Sequence, residues 1–166
     1  MQPPVGPPTR TKNLAYFLER ASRIWPRGRA LSCGRDEHAT YTEFAQQAAR
    51  IGGALRTTFG LAAGDRVAIV MKNSPEYLEV LYGLWYAGLV AVPVNAKLHA
   101  REIAYILEDC GAALCFVSAE LAGAIDNALP RVVVGAREWT ALQDARPVAL
   151  APVRSEDIAW LFYTSG

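Results

Sequence analysis

The sequence predicts an α/β fold in which a mainly parallel sheet has helices on both faces. From Arg66 onward, short apolar runs alternate with amphipathic segments, and this alternation is typical of βαβ units. Each run is almost continuously apolar, as expected of strands that are covered on both faces. Glycine and proline residues separate many of the segments and mark turns or helix ends there.

Before the alternation, the sequence predicts one helix and a hairpin. In the stretch NLAYFLERASRIW, apolar residues recur at helical spacing and form a face that we expect to be buried. The stretch ALSCGRDEHATYT predicts two short extended pieces around a turn at residues 34–36. The expected buried face of the helix consists of Leu14, Phe17, Leu18, Ala21 and Ile24.

The second helix has a recognisable start. Either Thr40 or Thr42 is expected to be its N-cap, and Thr40-x-x-Glu43 has the spacing of a capping box. In a capping box a hydroxyl and a carboxylate bind free backbone N–H groups reciprocally. Gly60 is expected to stop the helix. The predicted buried stripe consists of Phe44, Ala48, Ile51 and Leu55.

The alternating part predicts strands joined by helices. Ser74 as N-cap and Pro75 in the first turn open the first of these helices, and Gly88 ends it. Further helices are predicted at residues 99–111 and 119–129, and a looser stretch leads to the last strand. The predicted strands are residues 66–71, 89–95, 113–118, 131–135 and 158–163, and the predicted helical core residues are Leu78, Leu81, Tyr82, Trp85, Ile103, Ile106, Leu107 and Cys110.

The composition limits the class of protein. A net charge of +1 gives no electrostatic case for binding nucleic acid or an anionic membrane. The longest apolar stretch, residues 82–94, is too short to span a bilayer, so we expect no transmembrane segment. Cys33, Cys110 and Cys115 have no metal-binding spacing and are interpreted as buried thiols of a cytoplasmic protein. The proline-rich residues 1–12 are expected to be a disordered lead.

The last predicted strand runs into the sequence YTSG, which we take as the candidate site. Thr164 and Ser165 supply two hydroxyls, and Gly166 allows the backbone to adopt a positive φ. Successive N–H groups in such a turn form an anion-binding nest, to which the hydroxyls add donors. On these four residues alone, an ordinary turn is the commoner explanation.

The neighbouring segments resemble the adenylate-forming enzymes, which include the acyl-CoA synthetases. TYTEF at residues 40–44 is similar to the TYxEL block of that family, and YAGLVAVPVN at residues 86–95 is similar to its KAGAVYVPLN-like block. FYTSG at residues 162–166 resembles the start of the signature loop YTSGTTGxPKG. The resemblance covers residues 14–166 and implies that residues 13–166 are part of an N-terminal subdomain of that fold.

The resemblance implies a reaction in two steps. A carboxylate, of a fatty or related acid, attacks the α-phosphorus of ATP, and coenzyme A then displaces AMP from the acyl-adenylate to form a thioester. Negative charge must be held by N–H donors, hydroxyls, a lysine and Mg²⁺ in such chemistry. Carried over to this sequence, the role of gripping the β and γ phosphates belongs to Thr164, Ser165 and Gly166.

The resemblance also implies that the chain lacks most of an active site, since the rest of the loop and the later motifs of the family are absent. We therefore expect the chain alone to be inactive and to self-associate through its apolar last strand. The alternative is a stand-alone, non-catalytic α/β module that binds a nucleotide or a protein partner. A Rossmann-type oxidoreductase is disfavoured, because no G-x-G-x-x-G follows any predicted strand. Gly52 and Gly53 lie inside a predicted helix and form no dinucleotide fingerprint.

The remaining polar and aromatic residues are interpreted as structural. Acidic residues on helices are expected to form solvated faces, and asparagines after strands to serve turns. Histidines are expected at the surface or at helix caps, and aromatic residues at helical spacing in the core. These residues are Glu76, Glu79, Glu108 and Asp109; Asn73 and Asn95; His38 and His99; and Tyr82, Trp85 and Tyr86.

Overall fold

The computed structural model describes residues 12–125 and 128–164, and in them the predicted α/β alternation is present. The expected disordered lead falls mostly on residues 1–11, outside the described part. The helices are α1 (Tyr16–Ile24), α2 (Tyr41–Thr57), α3 (Pro75–Ala87), α4 (Ala100–Asp109) and α5 (Arg137–Gln143), with a 3₁₀ helix at Ala119–Ala124. The strands are β1 (Arg29–Cys33), β2 (Asp36–Thr40), β3 (Arg66–Val70), β4 (Val90–Pro93), β5 (Leu114–Val117) and β6 (Arg131–Val133).

The main sheet is parallel, as predicted. Its order is β4-β3-β5-β6, so the first strand of the sheet, β3, is an inner one and the connection from β4 to β5 passes over it. Val67 of β3 pairs with Ala91 of β4 on one side and with Leu114 of β5 on the other. Because all four strands run in the same direction, their carboxyl ends share one edge of the sheet. That edge is where open α/β sheets bind ligands.

Helices cover both faces of this sheet, which confirms the predicted layers. Val67 and Ile69 of β3 belong to one apolar cluster, with side chains of α2, α3 and α5. Ala68 and Val70 belong to a second cluster, with side chains of α4. Successive residues of a strand point to opposite faces, so β3 contributes to both clusters in turn.

The hairpin and the start of α2 follow the sequence prediction. β1 and β2 are antiparallel around Gly34 and Arg35. Thr40 is the N-cap, and its hydroxyl accepts a hydrogen bond from the N–H of Glu43 at 3.3 Å. In return, a carboxylate oxygen of Glu43 accepts a hydrogen bond from the N–H of Thr40 at 2.8 Å. The capping box therefore sets the junction between β2 and α2.

The predicted buried face of α1 is confirmed for Leu18 and is wrong for Phe17 and Ile24. Phe17 and Ile24 are 64% and 48% exposed, whereas Leu18 and Ala15 are buried. A nine-residue helix with apolar residues on two sides can pack through either of them. The surface of α2, against which α1 lies, selects the side that carries Leu18.

Other predictions also need correction. The helix predicted at residues 119–129 is a short 3₁₀ helix, and residues 126–127 lie outside the described part. Gly123, inside this segment, disfavours an α-helix. The stretch predicted to be loose contains α5, which buries Trp139 and Leu142 at a spacing of three residues. Cys33, predicted to be buried, is exposed.

Glu79 is buried, and its interpretation as part of a solvated helix face is wrong. One carboxylate oxygen of Glu79 lies 3.0 Å from Nε2 of His38 on β2, so the pair joins the hairpin to α3. The other oxygen, Oε2, is buried and has no hydrogen-bond partner among the described residues. Burial raises the pKa of the Glu79 carboxyl above its ordinary value, although the hydrogen bond and the charge of His38 oppose that rise.

We predict that Glu79→Gln changes the pH dependence of stability. A carboxyl whose pKa is raised by folding stabilises the protein fully only at low pH, and this contribution disappears as pH rises through the folded pKa. Relative to the unchanged protein, Glu79→Gln should therefore become progressively more stable as pH rises above about 4.3, the ordinary pKa of a glutamate carboxyl. Urea unfolding at each pH measures the difference in the free energy of unfolding between the two proteins. The titratable groups that face Glu79 are His38 and Glu76. The exposed Glu138→Gln serves as the control, and a pH-independent difference for Glu79→Gln would contradict the prediction.

Two glycines allow α2 and α3 to lie close together. A Cβ added to Gly83 would lie 2.6 Å from Cγ2 of Ile51, which is closer than real Cβ contacts. A Cβ added to Gly52 would lie 3.0 Å from the carbonyl oxygen of Gly83. Gly52 is therefore part of a helix contact, in agreement with the expectation that it forms no dinucleotide fingerprint.

We predict that Gly83→Ala destabilises the protein by about 1–3 kcal/mol, since the added methyl group must displace Ile51 in a packed core. The free energy of unfolding in urea measures the effect. Gly123→Ala is the matched control, because an added Cβ there meets nothing within 4 Å, and it should change stability by no more than about 0.5 kcal/mol. Equal stability of the two variants would disprove the close contact.

Candidate functional site

The carboxyl edge of the sheet carries polar groups that bind one another. Ser118, after β5, accepts a hydrogen bond from the N–H of Lys72, after β3, at 3.0 Å. Lys72 also forms an ion pair with Glu120 at 2.8 Å. Asn95, after β4, accepts a hydrogen bond from the N–H of Lys97 at 3.0 Å, which confirms its predicted role in a turn. These contacts hold the loops at the edge in place.

The last predicted strand lies beside β4 and runs parallel to it. The N–H of Ala91 donates to the carbonyl of Ala159 at 3.0 Å, and the N–H of Leu161 donates to the carbonyl of Ala91 at 2.9 Å. Trp160 forms a single parallel bridge with Ala91, so this part of the chain is extended but is not a full strand. We call residues 158–164 the terminal segment. Its direction brings Thr164 to the carboxyl edge of the sheet.

The terminal segment is only partly covered, so the prediction of a fully buried strand is wrong. Ile158 is 64% exposed and Phe162 is 61% exposed. An apolar run is compatible with a buried strand and with the open border of a sheet, and the periodicity of six residues does not separate the two. The position outside β4 leaves this border without a further strand among the described residues.

One face of the terminal segment packs on α3. The indole N–H of Trp85 donates to the carbonyl of Ala159 at 3.1 Å. The rings of Trp85 and Trp160 meet edge to face at 4.7 Å, and Phe162 stacks on Trp160 at 5.3 Å. Trp85 is buried, as predicted for a core residue. It holds the segment by a directed hydrogen bond as well as by packing.

The opposite face packs on α4. Leu161 and Tyr163 contact the second apolar cluster. The hydroxyl of Tyr163 donates to Oδ2 of Asp109, the last residue of α4, at 2.5 Å. This hydrogen bond raises the pKa of Tyr163 to about 12, because the carboxylate stabilises the protonated phenol. The sequence contained no local signal for this contact, since the two residues are 54 positions apart.

A cleft of about 640 Å³ opens at this edge, between the end of β4, α4 and the terminal segment. Thr164 is exposed at the cleft. Of the predicted site residues, only Thr164 lies in the described part, and Ser165 and Gly166 lie outside it. The cleft is lined by Pro93, Val94, Asn95, Leu98, Arg101, Glu102, Tyr105, Ile106, Tyr163 and Thr164.

A second cavity, of about 700 Å³, lies at the opposite end of the sheet, next to Arg66 of β3 and Val90 of β4. The guanidinium of Arg66 donates hydrogen bonds there to the carbonyls of Cys110 and Gly111, at 2.8 and 2.9 Å. Since ligands of parallel sheets bind beyond the carboxyl ends of the strands, the cleft at Thr164 is the better candidate site.

Cys110, Cys115 and His99 do not line the cleft. Cys110 and Cys115 are buried, and burial raises the pKa of both thiols, that of Cys115 to about 12. His99 begins α4 in a capping box with Glu102, whose carboxylate accepts from the N–H of His99 at 2.9 Å, so its expected capping role is confirmed. These groups serve the fold.

The part of the chain that the structure describes contains no group of three or more His, Cys, Asp or Glu side chains able to hold a metal ion. The Mg²⁺ that the sequence resemblance implies therefore has no ligands assigned among the described residues. Within the same residues, no helix combines the length and the apolar character needed to cross a bilayer.

The family model of AMP-binding enzymes matches residues 18–166 of the chain. The chain belongs to the AMP-binding enzyme family. The resemblance seen in the sequence blocks is thereby confirmed, and the sheet and its helices are the N-terminal part of the adenylate-forming fold.

Similar proteins and similar solved structures support the same family assignment. The chain is 37% identical to the long-chain-fatty-acid–CoA ligase FadD13 of Mycobacterium tuberculosis, over 69% of this chain and 23% of that protein. It is 35% identical to a feruloyl-CoA synthase of an Amycolatopsis species, over 95% of this chain and 32% of that protein. The anthranilate CoA ligase AuaEII, solved with anthranoyl-AMP, is similar with a TM-score of 0.86 and 28% identity, over 95% of this chain and 32% of that one. The chain therefore spans between about a quarter and a third of the length of these relatives.

The expected self-association through the terminal segment stays a prediction. Exposed apolar side chains and unpaired backbone groups at a sheet border favour pairing with a second copy. We predict that the sedimentation coefficient of the chain rises with its concentration and that Ile158→Lys and Phe162→Lys prevent the rise. Phe17→Lys changes a residue that is equally exposed on α1 and is the control. If Phe17→Lys has the same effect, or if the chain is monomeric at all concentrations, the terminal segment is not the contact.

Proposed function

We propose that the chain is the N-terminal part of an ATP-dependent acyl-CoA synthetase of the cytoplasm. The protein would join a carboxylic acid, ATP and coenzyme A to form acyl-CoA, AMP and pyrophosphate through an acyl-adenylate. The observation that carries this proposal is the terminal segment, which runs parallel to β4 and brings Thr164 to the carboxyl edge of the sheet. Family membership over residues 18–166 supports the same reaction.

Thr164, Ser165 and Gly166 are proposed to contact the phosphates of ATP. The hydroxyl of Thr164 is exposed at the cleft, where it is available to donate to a phosphate oxygen. Ser165 and Gly166, which follow it in the sequence, carry further N–H and hydroxyl donors. These groups bind and orient the nucleotide, and the chemical step requires residues from elsewhere in the protein.

The proposed acid is a fatty or related carboxylic acid. The similarity to FadD13, which is named a long-chain-fatty-acid–CoA ligase, supports this class. A 3-hydroxybenzoate–CoA ligase of an Aromatoleum species is also similar, at 35% identity over 80% of this chain. An aromatic acid is therefore the alternative substrate to test.

The 166-residue chain alone is proposed to be inactive. This chain matches only 23% of one curated relative and 32% of another. Glu102 is the acidic residue that lines the cleft, and its carboxylate already accepts a hydrogen bond from the N–H of His99. By itself the chain would act as a non-catalytic module that binds a nucleotide weakly at Thr164 or pairs with another chain. ATP binding without any turnover would favour this second function.

Pyrophosphate exchange into ATP tests the proposal. The full-length protein that carries residues 1–166 should catalyse exchange that depends on a carboxylic acid, whereas the chain alone should not. Thr164→Val should raise the KM for ATP about tenfold to a hundredfold, the loss expected for a hydrogen bond to a charged group. Thr164→Ser keeps the hydroxyl and is the control. No exchange by the full-length protein with fatty or aromatic acids would overturn the ligase assignment.

A further inference from the structure

The hydrogen bond between Tyr163 and Asp109 lies directly beside the candidate phosphate turn. Tyr163 precedes Thr164 in the chain, and both residues line the cleft. The phenol extends to the end of α4, where Oδ2 of Asp109 accepts a hydrogen bond from its hydroxyl at 2.5 Å. A short hydrogen bond to a carboxylate is stronger and more directional than one between neutral groups.

This contact is the last one that holds the terminal segment before the turn. The final backbone hydrogen bond of the segment to β4 is donated by Leu161, and Phe162 is exposed. Among the described residues, the Tyr163 hydroxyl makes the polar contact closest in sequence to Thr164. The direction in which the chain leaves the sheet therefore depends on where Tyr163 is held.

The position of Asp109 is not explained by α4 alone. Asp109 is the last residue of the helix, where the carbonyl end of the dipole disfavours a carboxylate. Asp109 is exposed, and none of the ion pairs of the described residues includes it. Its hydrogen bond to Tyr163 gives this acid a structural role that the helix does not.

The terminal segment is held at both of its ends. Trp85 binds the carbonyl of Ala159 and packs on Trp160, so α3 holds the start of the segment. Tyr163 holds the end of the segment on α4, on the opposite face of the sheet. Attachment at both ends and on both faces defines the path of the extended backbone between them.

We propose that Tyr163 and Asp109 are a positioning pair that holds Thr164 in the orientation needed to bind the phosphates of ATP. This inference rests on the proposed function and names the residues that prepare its phosphate site. The pair does not contact the nucleotide. It acts through the backbone of residues 163–164, so its loss weakens ATP binding more than binding of the carboxylic acid.

Steady-state kinetics of pyrophosphate exchange by the full-length protein test the pair. Tyr163→Phe and Asp109→Ala should each raise the KM for ATP about three- to tenfold, the range expected for one hydrogen bond. The KM for the carboxylic acid should stay within about twofold, and the double variant should be no worse than either single one, because one bond is removed in all three cases. Asp109→Asn keeps an acceptor oxygen and should restore a KM near that of the unchanged protein.

Tyr41→Phe is the matched control, since it removes a phenol at the start of α2, on the opposite face of the sheet from α4. Thermal unfolding shows whether each variant is folded, and a general loss of stability would raise both KM values or lower kcat without selecting ATP. An unchanged KM for ATP in Tyr163→Phe, or equal changes in both KM values, overturns the positioning pair while leaving the ligase function intact. Absence of exchange by the unchanged full-length protein overturns the proposed function and this inference with it.

Discussion

The structure depends on the burial of β3 on both faces. Its side chains alternate between the cluster formed with α2, α3 and α5 and the cluster formed with α4, and β4 and β5 occupy its two sides. A buried polar side chain without a hydrogen-bond partner would destabilise the fold in such a position. This cost explains why the strand is an almost continuous run of apolar residues. The direction of β3 sets the direction of the parallel strands beside it. It therefore determines the edge at which loops and ligands can meet.

Much of this arrangement could be predicted from short-range patterns. The capping box at Thr40 and the left-handed Gly88 mark helix ends through local backbone chemistry, which does not depend on the rest of the fold. The apolar runs of β3 and β5 require cover on both faces, and that requirement alone implies helices on both sides of a parallel sheet. The predicted ends of these elements differ from the observed ends by a residue or two, because periodicity does not encode fraying or turn geometry.

The predictions that failed depend on contacts between distant parts of the chain. Phe17 and Leu18 are adjacent and both apolar, and only the surface of α2 determines that Leu18 is buried. The sequence of α3 alone indicates that Glu79 is solvated. The hairpin that covers Glu79 and supplies His38 lies some 40 positions earlier in the chain. The terminal segment has the composition of a central strand and the position of a border one. Propensity and periodicity describe the segment itself, whereas burial depends on what packs against it.

The candidate site shows the same division between local and distant information. The type of residue at Thr164 indicates phosphate chemistry, because hydroxyl and glycine residues after a strand favour an anion-binding turn. Whether such a turn binds a phosphate depends on its orientation, and a short turn on an open sheet border has few contacts of its own. In this chain Trp85 of α3 and Asp109 of α4 hold the segment that leads into the turn, and they contact it from opposite faces. Residues whose local sequence indicates only a structural role thus hold the segment that carries the proposed phosphate-binding residues, and mutating the turn alone cannot separate these two contributions.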